Sequence, residues 1–180
     1  VATVPAPKTW SVNESLTAAG LNLELRDALN YLLNPPACSV YQTANTNMPT
    51  SGTYVQMLFD TENYDTDTMH STSTNPGRIT INTAGIYLVT WGVGFASNAT
   101  GYRLGDVRLN AAGVIGGGTS IDICRANAIS GAVSQIDSSF MYRFSAGDHF
   151  EIQAAQTSGG ALASNAGAAT TKIEALWVSK

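Results

Sequence analysis

One stretch constrains the fold of this chain more than any other. Residues 77 to 95 read GRITINTAGIYLVTWGVGF, a short strand, a tight turn and a long strand. Along a strand, successive side chains point to opposite faces. Tyr87, Val89, Trp91, Val93 and Phe95 therefore share one face, and Thr90, Gly92 and Gly94 share the other. A face this bulky requires a thick apolar layer against it. A face this bare permits close approach of something else. Two readings fit: close approach of another backbone or a large ring, or twist accommodated within one sandwich.

The segments around it follow the same period. CSVYQ and YVQMLF are strand candidates, and DTENYDTDTMHSTSTNPG is a polar loop with at most one weak strand near Met69. In GYRLGDVRLNAAGVIGGG, alternation through Tyr102, Leu104, Val107 and Leu109 breaks near Gly105. Two further strands flank the SAGD turn, and TKIEALWVS closes the chain. Eight to ten short strands separated by Gly, Asn and Ser turns predict an antiparallel sandwich or jelly roll, not a parallel α/β sheet. With 180 residues there is room for one real core and a small appendage. Only 12% of residues are charged, about half the usual share. Low charge and many short polar side chains suit a rigid β-particle that buries surface against copies of itself.

The appendage is N-terminal. Residues 1 to 15, with Pro5 and Pro7, read as an extended arm. Leu21, Leu25, Leu29 and Leu32 then recur at helical spacing, predicting a helix from Ala18 to Leu33 with a one-sided apolar stripe. Thr17 is the expected N-cap, and Leu16 is placed to staple onto Leu21. Pro35 and Pro36 end the helix. The division falls there: arm and helix over 1–36, β-domain over 37–180. The stiff proline pair either holds the helix away from the β-domain or lets it lie across one end.

Taken together, these residues resemble a known family. FDTENYDTDTMHSTSTNPGRITINTAGIYLVTWGVGF, then VRLN, FMYRFSAGDHFEIQA and a final IEALWVSK are similar to the globular domain shared by complement C1q and tumour necrosis factor relatives. The versions in bacteriophage and bacterial proteins are the most similar. The resemblance covers about residues 52 to 180, on Phe59-Asp60, Asn63, Gly85-Ile86-Tyr87, Asn110 and Gly147-Asp148. It implies an all-β, ten-stranded C1q/TNF-like jelly roll that assembles as a homotrimer. In such a trimer the bulky face of residues 87 to 95 is core or axis. Tyr87, Trp91, Gly92, Gly94 and Trp177 become the expected subunit contacts.

The N-terminal segment resembles the opening of many phage virion proteins. Leu16, Thr17, Ala18, Leu21, Asn22, Arg26, Asp27, Leu29 and Leu32 carry the match. That implies a virion location and an attachment or trimerisation element built on Trp10, Leu21, Leu25, Leu29 and Leu32. The partner would be a phage capsid or tail protein, with the chain as a decoration or minor structural protein. A tail head that binds a host surface glycan or protein is the alternative, and a bacterial surface protein is a third.

Other chemistries find little support. The formal charge is -4 with no basic run, which argues against nucleic acid. No run of ~18 apolar residues is present, so membrane insertion is not expected. VATVPAPKTW lacks a secretion-signal pattern, so an extracellular role implies a removed signal or release by lysis. His70 and His149 are the two histidines, and no G-x-S-x-G elbow or H-E-x-x-H helix accompanies them. No catalysis and no cofactor are expected. Asp60, Glu62, Asp65 and Asp67 could ligate calcium but lack the EF-hand glycine, and Asp60, Asn63 and Asp65 fit the structural turn that the C1q-like resemblance implies better. VIGGGTS lacks a P-loop pattern and reads as an exposed loop. Tyr54, Tyr64, Tyr102 and Trp177 could stack on sugars, with packing as their default role. Cys38 and Cys124, each among apolar residues, read as buried free thiols, although one bridge would also be possible.

Overall fold

A computed structural model describes residue 6 and residues 8–180. Pro5 and Pro7 of the expected arm lie outside the described residues. The helical segment comprises α1 (Ala18–Leu21), a π turn (Asn22–Arg26) and α2 (Asp27–Leu33). Twelve strands follow among the described residues: β1 (Ala37–Tyr41), β2 (Asn47–Met48), β3 (Val55–Gln56), β4 (Thr61–Asp65), β5 (Arg78–Thr80) and β6 (Gly85–Phe95), then β7 (Tyr102–Leu109), β8 (Thr119–Asn127), β9 (Ser134–Phe144), β10 (His149–Gln156), β11 (Leu162–Asn165) and β12 (Lys172–Ser179). Ten have three or more residues, and β2 and β3 are two-residue additions at the edges.

The strands form two antiparallel sheets packed face to face. In the first, β9 pairs with β6, then come β12, β1 and β4, while β11 continues along β6 and carries β2. In the second, β3 and β5 share one edge of β10, and β7 and then β8 lie on its other side. The result is an all-β jelly-roll sandwich with one N-terminal helical segment.

The long strand supplies the centre of the core. Tyr87, Val89, Trp91, Val93 and Phe95 are all fully buried, clustered with Val107, Phe150, Ile152 and Ala154 of the opposite sheet. Trp91 spans the gap between sheets because β7 has no side chain beneath it. A Cβ on Gly105 would lie 2.5 Å from the Trp91 ring. The break in alternation at Gly105 is thus the socket for an indole. The indole N–H donates to Asp122 Oδ2 at 2.8 Å, so the buried polar end is satisfied. The Tyr87 hydroxyl donates to the Thr83 carbonyl at 2.7 Å, and burial pushes its pKa up.

The bare side of β6 is covered by the same chain. A Cβ on Gly92 would run into the Asp137 carboxylate on β9 and lie 3.3 Å from the Thr170 carbonyl. On Gly94 it would meet the Asn165 carbonyl at 3.0 Å and Thr170 Cβ at 3.1 Å. Of the two readings the sequence allows, the intrachain one is present. Tyr87, Trp91, Gly92 and Gly94, expected at a subunit contact, are buried within the single chain.

The helical segment occupies residues 18 to 33, as its stripe and proline stop predict. Thr17 Oγ1 accepts from the Gly20 amide at 3.0 Å, the expected N-cap. The arm differs from expectation because it folds back. The Lys8 ammonium pairs with Glu14 and sits 4.3 Å from the Trp10 ring centroid, and its amide donates to Glu24 at 3.0 Å. A Cβ on Gly20 would touch Trp10 at 3.4 Å, so the indole lies over the helix start.

At the other end, Tyr31 is the one buried residue of the helical segment. It meets Trp177 edge-on at 5.0 Å, while Thr66 donates to the Pro35 carbonyl and the Trp177 amide to that of Pro36. The helix is therefore fixed to the sandwich at its last turn.

Candidate functional site

The helix turns its apolar residues to solvent. Leu25, Leu29 and Leu32 are 58%, 57% and 68% exposed, and Leu21 is exposed as well. Four exposed leucines on one short segment are unusual when nothing covers them. Trp10, the expected aromatic anchor, is a third exposed and partly stacked on Gly20. Trp177, expected between subunits, sits half-buried under Tyr31 and donates its indole N–H to the Ala84 carbonyl at 3.2 Å.

A second apolar surface lies on the outward face of the first sheet. The register places Leu88 opposite Met141 on one side and opposite Leu176 on the other. Residues directly opposite share a face, so the three form one row across β9, β6 and β12. They are 59% (Met141), 39% (Leu88) and 44% (Leu176) exposed, with Val178 exposed farther along β12. The sequence carried a signal for this row. Leu88 sits on the side of β6 opposite the bulky face, where a solvated sheet would show a polar residue.

The remaining candidates are structural. Asp60 accepts from the Thr43 amide and hydroxyl, both at 2.8 Å. Asp65 accepts from the Asp67 and His70 amides, and Glu62 lies 2.8 Å from His70 Nδ1. The Asp67 carboxylate accepts from Thr83 Oγ1. These carboxylates shape turns and diverge. Among the described residues, no group of three or more His, Cys, Asp or Glu side chains converges as a metal would need.

His70 is enclosed, with Nε2 3.0 Å from the Pro76 carbonyl. His149 is half-buried, and burial, with Arg78 nearby, lowers its pKa below the ordinary value. Neither histidine is hydrogen-bonded to a serine, threonine or cysteine side chain among the described residues.

Cys38 and Cys124 are both free. Cys38 is buried in β1, where its thiol is pushed up by burial, and Cys124 on β8 is half-buried. Tyr64 is exposed on β4, whereas Tyr102 is half-buried under the Arg125 guanidinium at 4.3 Å. The VIGGGTS loop is exposed at Val114 and Ile115, and it is rigidly held. Glu151 accepts from the Gly113 amide, Gln153 from that of Gly116, and Arg108 donates to the carbonyls of Gly116 and Gly117.

No family model matches the sequence, and no curated protein matches it. Solved structures do resemble it in fold. Murine APRIL superposes with a TM-score of 0.61 at 11% identity, covering 79% of this chain and 98% of that one. Eiger TNF from S. frugiperda gives 0.59 at 13% identity, covering 81% and 93%. The globular domain of zebrafish complement 1qA gives 0.55 at 13% identity, covering 81% and 98%. The chain has a C1q/TNF-like jelly-roll fold.

Proposed function

We propose that this chain is a non-enzymatic structural protein of a bacteriophage virion. It works as a homotrimer, attached to a capsid or tail protein through residues 1–36, with its jelly-roll head projecting. The observation that carries the reading is the pairing of two uncovered apolar surfaces on one small protein. One is the Met141–Leu88–Leu176 row, and the other is the leucine face of the helix. A threefold ring needs two different patches per chain, each complementary to the other. The sheet row is one. Ile123 on β8, with Ile129 and Val133 in the loop before β9, offers exposed apolar groups for the other.

The location on a virion rests on the resemblance of the N-terminal segment to phage virion openings, and its geometry suits attachment. Tyr31 and the proline pair fix the base of the helix, and the leucines stay uncovered. Burying a leucine fully contributes about 1.5–3 kcal/mol. Three helices presented by one trimer would multiply that. Assembly reactions with head-only protein (residues 37–180) test the claim. The head should remain soluble but fail to join the particle. Normal incorporation would refute the anchor.

A further inference from the structure

The loop after β4 and the start of β5 form a half-open pocket of about 240 Å³, lined by His70, Thr74, Asn75, Arg78 and Thr80 among others. Arg78 supplies a permanent positive charge there. β5 pairs with β10 so that Arg78 stands opposite Glu151 and Thr80 opposite His149. Opposite charges in register across two strands ordinarily meet. Here they do not. The Glu151 carboxylate is held by the Gly113 amide, Gln56 Nε2 and Gln153 Nε2, each at 2.9 Å.

Arg78 is left without an ion pair or side-chain hydrogen bond among the described residues, and its Nε is buried with no acceptor. A buried donor on a charged group is costly to leave unmatched. His149 Nε2 beside it is buried and unpartnered as well. Its imidazole, neutral or cationic but never anionic, brings Arg78 no counter-charge, and burial with Arg78 nearby lowers its pKa. The acids of the same segment are engaged elsewhere, Glu62 by His70 and Asp65 by the amides of Asp67 and His70.

Hydroxyl and amide side chains make up most of the remaining lining. Thr74, Asn75 and Thr80 make no side-chain hydrogen bond among the described residues, and so keep donors and acceptors for a ligand. His70 forms a fixed wall, with both ring nitrogens engaged. The volume is below the roughly 300–1,000 Å³ of drug-sized sites and suits a single ring. A guanidinium fork matches a carboxylate bidentately.

We propose that this pocket binds the carboxylate of an acidic sugar unit, with Arg78 on the carboxylate and Thr74, Asn75 and Thr80 on the ring hydroxyls. The site lies within one chain and does not depend on trimerisation or on the virion reading.

Calorimetric titration of the full chain with glucuronate, neutral methyl glucoside and inorganic sulfate tests it. Glucuronate should saturate at one per chain and bind about tenfold tighter than either other probe. Arg78→Gln should weaken it roughly tenfold to a hundredfold, as loss of hydrogen bonds to a charged group implies. Asn75→Gly, which suits the positive φ of 53° at that position, should weaken it less. Failure of glucuronate to saturate overturns the proposal. So does sulfate binding as tightly, which would mean a bare oxyanion site, or methyl glucoside binding as tightly, which would leave Arg78 no role. If Arg78→Gln does not fold, unchanged affinity in both Thr74→Ala and Asn75→Gly overturns it.

Discussion

Individual residues of β6 and β7 decide how the two sheets meet. Gly105 leaves room for the Trp91 ring, and Gly92 and Gly94 leave room for Asp137, Asn165 and Thr170 of the same chain. Overfilling such sites costs about 1–3 kcal/mol. Gly105→Ala and Gly94→Val should therefore each lower the melting temperature by several degrees, at about 2–4 °C per kcal/mol for a chain of this size. The loss should appear in the folded subunit itself. A Gly94→Val protein that melts normally but fails to assemble would place Gly94 at the subunit contact instead. His149 adds a pH dependence. Its pKa in the folded chain lies below the ordinary 6.5, with burial as the leading cause. The unfolded chain therefore binds the extra proton first as pH falls, and stability drops from about pH 6.5 downward. Denaturant midpoints between pH 7 and 5 should show a decline that His149→Gln reduces. An identical decline in the variant would assign it to other groups.

At the scale of elements, the helix and the head are joined through one aromatic contact, Tyr31 on Trp177, and the proline linkage beside it. An edge-to-face pair contributes about 0.5–1.5 kcal/mol beyond its area. Tyr31→Ala should speed amide exchange in residues 18 to 33 while leaving β6 and β10 protected. Equal deprotection of the strands would mean that helix and head form one cooperative unit. Leu25→Asp should leave the head's melting temperature unchanged, because Leu25 is more than half exposed on the helical segment and outside the core cluster, yet block incorporation into particles.

The sequence foretold much at this level, because period and punctuation are local. Thr17, the leucine spacing and Pro35-Pro36 bounded the helix, and alternation with Gly and Asn turns marked the sandwich. The partners of Gly92 and Gly94 were not legible. They come from β9, from β11 and from the loop before β12, which the antiparallel pairings of β6 bring alongside. The fold-back of the arm was hidden for a similar reason. It depends on Lys8 finding Glu14 and Glu24, six and sixteen residues along the chain, through contacts that no periodic pattern marks.

For the whole molecule, the claim is that the outward face of the first sheet is an interface between copies. The row Met141–Leu88–Leu176 is exposed in one chain, whereas Tyr87 and Trp91 are buried within it. An arginine at Leu88 would place a charge at the middle of that face without touching the core, since the Leu88 side chain points outward. Fold should survive and association should not. Sedimentation equilibrium of the full chain and of Leu88→Arg at micromolar concentration is the most direct measurement. The account predicts three times the chain mass of 18.8 kDa for the parent protein and a folded monomer for the variant. A monomeric parent, or a variant that stays trimeric, would contradict it.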